Sequence, residues 1–211
     1  MSSSPPSQQR RPEAERRQIH VALVAVCRER GLGKATRAQV IERAGLDRAA
    51  FDRHFDDLDD CFAQYVVDAR DALTERATAA ASAAPDWRAQ LRSVLYEVAR
   101  FLRADRARAH MLLVETLAAG PRGSLVREQA LEAVVDLIDG GRRQMDEPEA
   151  LTRITAEALM GALFNQLHLW HEAGDLGDPD RLVPQLMYFL VLPYLGRDAA
   201  MEELSLPIPE A

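Results

Sequence analysis

The strongest constraint on this chain is a closely spaced series of helix-starting and helix-stopping residues near its N-terminus. Thr36 begins a helical pattern and has Gln39 three residues later, which is the spacing of a capping box. Gly45 ends that pattern soon afterwards, and Asp47 can cap the next helix. Because two short helices joined by a glycine-containing turn are typical of a helix-turn-helix, the sequence predicts this motif, with its second helix at 48–54.

Most of the remaining chain also follows helical periodicity, and little of it alternates with period two. Hydrophobic residues make up 47% of the 211 residues, which is enough for a sizeable core. Ala, Leu, Arg and Glu dominate, and this composition favours helix. We therefore predict an all-α fold of about nine helices. The predicted helices span 13–30, 36–44, 48–54, 58–80, 86–103, 105–119, 124–139, 148–173 and 180–195.

The helix pattern predicts four parts along the chain. Residues 1–12 are rich in Ser, Pro and Gln and are predicted to form a disordered arm. Residues 13–57 form the helix-turn-helix domain, 58–198 a larger helical domain, and 199–211 a C-terminal tail.

The charge of the chain is unevenly distributed. Residues 1–55 contain eleven Lys or Arg and six Asp or Glu, whereas the remainder contains fifteen and twenty-seven. The formal net charge of −7 alone argues against nucleic-acid binding. A basic N-terminal part on an acidic body, however, is the pattern expected when only that part contacts a polyanion.

Several features indicate a cytoplasmic protein. There is no apolar run of about 20 residues, so no transmembrane helix is expected. The N-terminus lacks the apolar stretch of a secretory signal. Cys27 and Cys61 are too few for a disulfide framework, and we expect free thiols in a reducing compartment.

The segment 35–66 resembles the helix-turn-helix region of the TetR family of bacterial transcriptional regulators. It reads ATRAQVIERAGLDRAAFDRHF followed by DDLDDCFAQYV. The resemblance is close over about residues 14–70 and covers only the helix layout beyond, apart from VLPYLG at 191–196, which resembles an ending common among actinobacterial members. The positions that agree with the family pattern together are Thr36, Ala44, Gly45, Phe51, His54 and Phe55.

This resemblance implies a dimeric repressor that binds a palindromic double-stranded DNA operator. The helix-turn-helix domain, here called the head, would dock in the major groove, with Arg48 facing guanine and Ala49 facing a thymine methyl. Other side chains would contact phosphates and fix the docking without reading sequence. The DNA contacts expected from the resemblance are Thr36, Arg37, Arg48, Ala49, Ala50, Arg53 and His54.

Two positions depart from the family pattern. The family usually has Tyr where this chain has Asp52 and Lys where it has Leu58, and both family residues commonly touch phosphate. An anion at Asp52 repels phosphate, so weaker backbone affinity or a different docking is expected. The N-terminal arm can add contacts along the backbone or minor groove. The basic residues of this arm and of the segment directly after it are Arg10, Arg11, Arg16 and Arg17.

The resemblance also implies that the helical body binds a small-molecule effector that releases the repressor from DNA. Aromatic, Met and His side chains in this region are consistent with a largely apolar pocket, although residues at such spacing also build plain cores. Asn165 is informative because an amide on an apolar helix needs a partner. The predicted ligand-binding residues are Phe101, His110, Met111, Phe164, Asn165 and His168.

The helices predicted at 148–173 and 180–195 are apolar on nearly every side. A helix of this kind is buried on more than one side, and in a chain of this size a second subunit is the expected cover. We therefore predict a homodimer through these two helices. The predicted interface residues are Leu159, Leu163, Leu167, Leu186, Leu190 and Tyr194.

Two other functions remain open from the sequence. One is a ligand- or protein-binding module of the same fold with weak or lost DNA binding, which Asp52 and Leu58 motivate. The other is an all-α enzyme with His110, His168 or His171 as a base, which is disfavoured because no nucleophile pairs with these residues. We expect no enzymatic activity and no cofactor. His168 and His171 with Glu172 suggest a metal site, because a spacing of three on a helix brings two histidines together. No cysteine or acidic ligand is obviously convergent with them, so no metal site is predicted.

Overall fold

A computed structural model describes residues 7–174 and 178–207. These ranges contain nine α-helices and no strand, which confirms the predicted all-α fold. No helix in them has the length and apolar character needed to span a membrane. The helices are α1 (Ser7–Arg30), α2 (Arg37–Ala44), α3 (Arg48–Asp52), α4 (Leu58–Ser82), α5 (Trp87–Ala104), α6 (Arg106–Leu113), α7 (Pro121–Asp139), α8 (Arg153–Glu172) and α9 (Pro179–Glu203).

Some helix ends differ from the sequence prediction. Helix α1 begins at Ser7, so half of the predicted disordered arm is helical, and residues 1–6 lie outside the described ranges. Helix α6 stops at Leu113 and is followed by a 3-10 turn, Glu115–Ala118, where one long helix was predicted. Helix α9 continues to Glu203 instead of ending near 195, and its backbone breaks at Gly196, where φ is 77°. Glycine tolerates that left-handed conformation without strain.

The chain divides into two compact units. The first contains the chain up to Asp68 together with His110–Arg127, and the second contains Ala69–Ala109 and the chain from Glu128 onward. The predicted boundary at 57/58 thus falls inside the first unit, because the start of α4 and the segment around α6 and α7 pack with the helix-turn-helix.

The first unit is built around an aromatic core. Phe51, Phe55 and Phe62 are fully buried, and the rings of Phe51 and Phe55 lie 5.5 Å apart. The apolar face of α1 covers these rings with the Ile19 and Leu23 side chains that its helical periodicity predicts. This core therefore fixes the orientation of the short helix α3.

The second unit closes partly through polar contacts between distant segments. Trp87 Nε1 donates to the Leu137 carbonyl oxygen at 2.8 Å, and its ring lies edge-on to Tyr194 at 5.5 Å. At Gly141 an added Cβ would lie 2.7 Å from both aromatic side chains, so only glycine fits there without displacing them. These contacts place the start of α5, the end of α7 and the middle of α9 together.

A buried carboxylate joins α5 to the last turn of α9. Glu203 is 1% exposed and forms ion pairs with Arg88 and Arg92. Arg88 also donates to the Ala199 carbonyl oxygen at 3.1 Å and reaches the exposed carboxylate of Glu202. The part of α9 beyond Gly196 is therefore held to α5 by paired charges.

Candidate nucleic-acid interface and effector cavity

The local geometry of the helix-turn-helix follows the sequence signals. The Thr36 hydroxyl accepts from the Gln39 amide nitrogen, and the Gln39 side chain accepts from the Thr36 amide nitrogen at 3.0 Å, which forms the predicted capping box. Gly45 ends α2 in the left-handed region with φ 63°. Asp47 caps α3 by accepting from the Ala50 amide nitrogen at 2.7 Å. The turn between the two helices is thus set by capping and by one glycine.

Helix α3 has a buried side and an exposed side. Ala50 and Phe51 face the core of the first unit, with 4% and 0% of their surface exposed. The prediction that Ala50 contacts DNA is therefore wrong, because its methyl group is buried inside the protein. Arg48 and Ala49 are exposed, as a base-reading role requires.

The exposed side of α3 carries an acid between two arginines. Asp52 Oδ1 accepts from Arg37 Nη1 at 2.9 Å, and Asp52 Oδ2 accepts from Arg48 Nε at 3.3 Å. The Arg37 guanidinium also lies 5.8 Å from the centre of the Phe51 ring. Asp52 therefore links α2 to α3 and partly neutralises two of the predicted DNA contacts.

A second carboxylate neutralises the other end of α3. Glu15 of α1 accepts from Arg53 Nη2 at 2.9 Å, and the same oxygen lies 3.3 Å from His54 Nε2. The His54 side chain is only 11% exposed, so it contributes little surface to a phosphate contact. Arg53 is half exposed and remains able to reach solvent.

The basic residues near the N-terminus differ in their surroundings. Arg16 pairs with Asp68 at 2.9 Å, whereas Arg17 is exposed and forms no ion pair within the described ranges. The side chains of Arg10 and Arg11 lie outside the described residues. Other exposed cations of the first unit without an ion pair in these ranges are Arg28, Arg30 and Lys34.

Two aspartates that follow α3 accept hydrogen bonds at the starts of two different helices, α4 and α7. Asp57 caps α4 by accepting from the Asp60 amide nitrogen at 2.7 Å. Asp59 accepts from the Arg122 amide nitrogen at 3.0 Å, at the start of α7. An added Cβ on Gly120 would lie 2.7 Å from the Asp59 carboxyl, so the two segments approach closely. This link between α4 and α7 was not predicted, because it joins residues more than sixty positions apart.

A buried acid connects the end of α6 to the turn after α1. Glu115 is 4% exposed, and its Oε2 accepts from the Leu32 amide nitrogen at 2.6 Å. Its Oε1 lies 3.0 Å from His110 Nε2. Sequence reasoning missed Glu115 and assigned His110 to a ligand pocket, whereas the structure pairs the two within the first unit.

His20 lies buried between α1 and α4. Its ring packs 5.3 Å from Phe55 and 5.5 Å from Tyr65, and its Nδ1 lies 3.6 Å from Asp68. Burial, reinforced by the nearby Arg16 charge, lowers the pKa of His20 to about 4 despite the opposing effect of Asp68. This histidine is therefore neutral at physiological pH and forms part of the core.

Both cysteines are buried thiols in the core of the first unit. Cys27 is 1% exposed and Cys61 is fully buried, and both are free thiols, as predicted. Burial raises the pKa of Cys27 to about 12, with a smaller contribution from Glu115, and it also raises the pKa of Cys61. Neither thiol is ionised at neutral pH.

The six predicted ligand-binding residues are divided between the two units. His110 and Met111 belong to the first unit, where Met111 is fully buried in its core. Phe101 is buried in the second unit beneath the Arg108 guanidinium, 4.7 Å away. Asn165 is exposed, so its amide does not need the buried partner that the sequence suggested. Phe164 and His168 are half-buried on α8.

A cavity of about 420 Å³ lies in the second unit between the end of α4 and α5. Alanine methyl groups form one wall, and α5 contributes polar side chains at helical spacing. Among these, Arg92 pairs with Glu203, and Arg100 pairs with Glu97 at 3.0 Å. The lining residues are Ala80, Ala83, Ala84, Pro85, Ala89, Arg92, Ser93, Tyr96, Glu97 and Arg100.

The predicted dimer residues are buried within a single protomer, so they are not available to a partner. Leu190, for example, is fully buried and Leu163 is 3% exposed. The same holds for Leu159, Leu167, Leu186 and Tyr194.

The opposite sides of α8 and α9 are the exposed ones. The exposed apolar and small residues on these sides, here called the uncovered stripe of each helix, are Ile154, Ala158, Gly161, Ala162 and Leu169 on α8 and Phe189 and Leu192 on α9.

The fold and the head together define a helix-turn-helix protein with a helical body. No family model matches the sequence, and no curated protein matches it. Solved structures do match in fold. The fatty acid degradation regulator FadR from Bacillus halodurans is 18% identical, with a TM-score of 0.70 over 82% of this chain and 96% of that chain.

Two further structures are similar to the same extent. The transcriptional regulator FadR from Bacillus subtilis, solved in complex with stearoyl-CoA, is 18% identical, with a TM-score of 0.66 over 85% of this chain and 97% of that one. A bacterial regulatory protein in the tetR family from Rhodococcus RHA1 is 16% identical, with a TM-score of 0.65 over 86% and 97%. The chain therefore has the all-α fold of TetR-family transcriptional regulators.

Proposed function

We propose that this protein is a DNA-binding transcriptional regulator that represses from a palindromic operator and is released by a small-molecule effector. The observation that carries the proposal is the capped α2–Gly45–α3 unit, which presents Arg48 and Ala49 on an exposed helix face. A recognition helix reads base edges with residues of this kind near its N-terminal end. The three similar structures are described as regulators, which favours this function over an enzyme.

The proposed DNA contacts are a reduced form of the sequence prediction. Arg48 suits guanine, Ala49 suits a thymine methyl, and Thr36 suits a phosphate, whereas Arg37 is paired with Asp52 and is left out of the proposed phosphate contacts. Arg53 can join them by leaving Glu15, because its side chain is 55% exposed. His54 is assigned a supporting role beneath the helix, since it is mostly buried.

DNA binding is tested with a fluorescently labelled duplex from the region upstream of the protein's own gene, at several salt concentrations. We expect binding that weakens steeply as salt rises, because phosphate contacts release counterions. Arg48→Ala is expected to weaken binding about tenfold or more. Arg181→Ala removes an exposed arginine from α9 of the second unit and serves as the control. No binding at low salt, or an equal effect of both variants, would contradict the proposal.

A second candidate function has a specific observation in its favour. Asp52 and Glu15 already pair with three of the predicted arginine contacts, Arg37, Arg48 and Arg53, within the protomer. The second candidate is a module of the same fold that responds to a ligand or protein partner and binds DNA weakly. In that case Asp52→Tyr creates DNA affinity that the native chain lacks. Unchanged affinity in this variant argues against the second candidate.

The effector is proposed to be an amphipathic small molecule that binds the cavity between α4 and α5. Alanine methyls and the Tyr96 ring suit an apolar body, while Arg92 and Ser93 suit a polar group. The stearoyl-CoA bound to the Bacillus subtilis protein also combines an apolar chain with a polar group. A screen of acyl compounds by thermal shift, with Ala89→Trp as a variant that fills the cavity, tests this assignment. Stabilisation that survives in Ala89→Trp places the effector elsewhere.

We further propose a homodimer through the uncovered stripe of α8 and α9. Exposed apolar faces on two long helices are covered when the same faces of a second copy pack against them. Gly161 has open space around an added Cβ, so Gly161→Arg leaves the protomer intact while placing a charge on the stripe. We expect a monomer by analytical ultracentrifugation. Leu125→Arg, which alters an exposed leucine of α7, should remain dimeric.

A further inference from the structure

The ion pairs around Asp52 occupy defined atoms of the two arginines. Asp52 Oδ2 accepts from Nε of Arg48, and Asp52 Oδ1 accepts from Nη1 of Arg37. The Arg48 side chain is nevertheless 73% exposed. The carboxylate thus holds Arg48 from the side of its Nε atom while the end of the guanidinium stays in solvent.

The free end of Arg48 is the part that recognises guanine. A guanidinium has five N–H donors in a fixed fork, and the contact at Nε leaves the donors of both terminal nitrogens available. Guanine presents two acceptors, O6 and N7, to the major groove, and arginine pairs with both at once. An arginine that is already oriented loses less side-chain entropy on binding than one that is free in solvent.

Resting on the proposed DNA-binding function, we propose that Asp52 is a specificity-determining residue that positions Arg48 for guanine. Asp52 also draws Arg37 toward α3, where the guanidinium lies over the Phe51 ring. Its negative charge weakens attraction to phosphates at every site, whereas the oriented Arg48 regains affinity only where guanine is present. Specificity is a difference of affinities, so this arrangement lowers non-specific binding and preserves specific binding.

The test compares the full-length wild type, Asp52→Asn and Glu42→Gln by selection from a randomised duplex library. Glu42 is an exposed acid of α2 that forms no ion pair within the described ranges, so Glu42→Gln changes the charge of the head equally without touching Arg48. We expect the wild type and Glu42→Gln to enrich sites with a guanine at one position of each half-site. Asp52→Asn should lose that preference by about tenfold.

Affinity for a duplex without the enriched site provides the second measurement. Asp52→Asn should bind it more tightly than the wild type, and the slope of log affinity against log salt should steepen by about 0.9 as Arg37 becomes available to a phosphate. A merely structural role for Asp52 would lower both kinds of binding together. An unchanged guanine preference in Asp52→Asn, or an equal loss in Glu42→Gln, overturns this inference alone. A wild type that enriches no site overturns the proposed function and this inference together.

Discussion

Each of the two units is stabilised internally by a different kind of contact. The first relies on an aromatic core, and its helices start and end at residues whose capping bonds span only a few positions. The second relies on contacts between segments far apart in sequence, such as Glu203 with Arg88 and Arg92. Capping signals within a few residues can be recognised from sequence, whereas contacts between distant segments, which the first unit also contains between Asp59 and Arg122, cannot. Each prediction below disturbs one side of this comparison.

Removing a core ring of the first unit should have the largest effect. Phe51→Ala is expected to cost about 4 kcal/mol, because it deletes a fully buried side chain and leaves a cavity. Trp87 and Trp170 are the only tryptophans and both belong to the second unit, so their fluorescence reports that unit, whereas circular dichroism reports both. In urea the circular dichroism should show an early transition that tryptophan fluorescence lacks. Leu125→Ala, at an exposed leucine, is the control, and an identical unfolding curve for both variants would contradict the expectation.

Removing the buried carboxylate of the second unit should have the next largest effect. Glu203→Ala leaves two partly buried arginines without their shared partner, which costs about 3 kcal/mol. Tryptophan fluorescence during urea unfolding measures this loss directly. The neighbouring Glu202→Ala removes a carboxylate that is 65% exposed and should cost less than about 1 kcal/mol. Equal losses in the two variants would show that the buried position of Glu203 has no special role.

Acid should weaken the first unit through His20. Its pKa in the folded protein is about 4 against 6.5 for the unfolded chain, so the unfolded state binds the proton first. The His20 contribution to stability is complete above pH 6.5, declines as the pH falls, and is lost below about pH 4. One pKa unit corresponds to about 1.4 kcal/mol, so the loss is on the order of 3 kcal/mol.

Urea unfolding by circular dichroism between pH 7 and pH 4 measures this dependence. His20→Gln should remove the part of the decline in unfolding free energy that His20 causes. The decline caused by other titrating groups should remain. A decline of equal size in the variant would assign the acid sensitivity to other groups near α1 and α4.

Loss of the capping box should have the smallest effect. Thr36→Ala removes the hydroxyl that accepts from Gln39 and is expected to cost about 1 kcal/mol. Thr152 precedes α8 but makes no capping bond through its side chain, so Thr152→Ala is a matched control with little expected change. Circular dichroism during urea unfolding compares them, and a Thr152→Ala loss as large as that of Thr36→Ala would contradict the role assigned to the capping box.

The sequence predicts the helix layout and the head well because their signals are local. The roles of Thr36, Gly45 and Asp47 depend on neighbours within a few residues, and the structure confirms them. The orientation of individual side chains was less predictable. Ala50 lies on a five-residue helix, where a single position separates the buried side from the exposed side.

The body shows what local patterns leave undetermined. Helices α8 and α9 are apolar on nearly every side, so periodicity alone does not distinguish the side that the protomer covers from the side that it leaves exposed. Leu163 and Leu190 proved to be covered within the chain, whereas Phe189 and Leu192 are exposed. Glu115 gave no sequence signal at all, because its partner Leu32 lies 83 residues away and contributes only a backbone amide.

The two buried thiols allow unfolding of the first unit to be measured by chemical labelling. Cys27 and Cys61 lie in its core, and the second unit contains no cysteine. An alkylating reagent reacts with a thiolate, and neither thiol ionises or meets the reagent while the core is closed. The rate of labelling under native conditions therefore measures how often the first unit unfolds. Such a measurement follows the first unit in the presence of the second, with no engineered label.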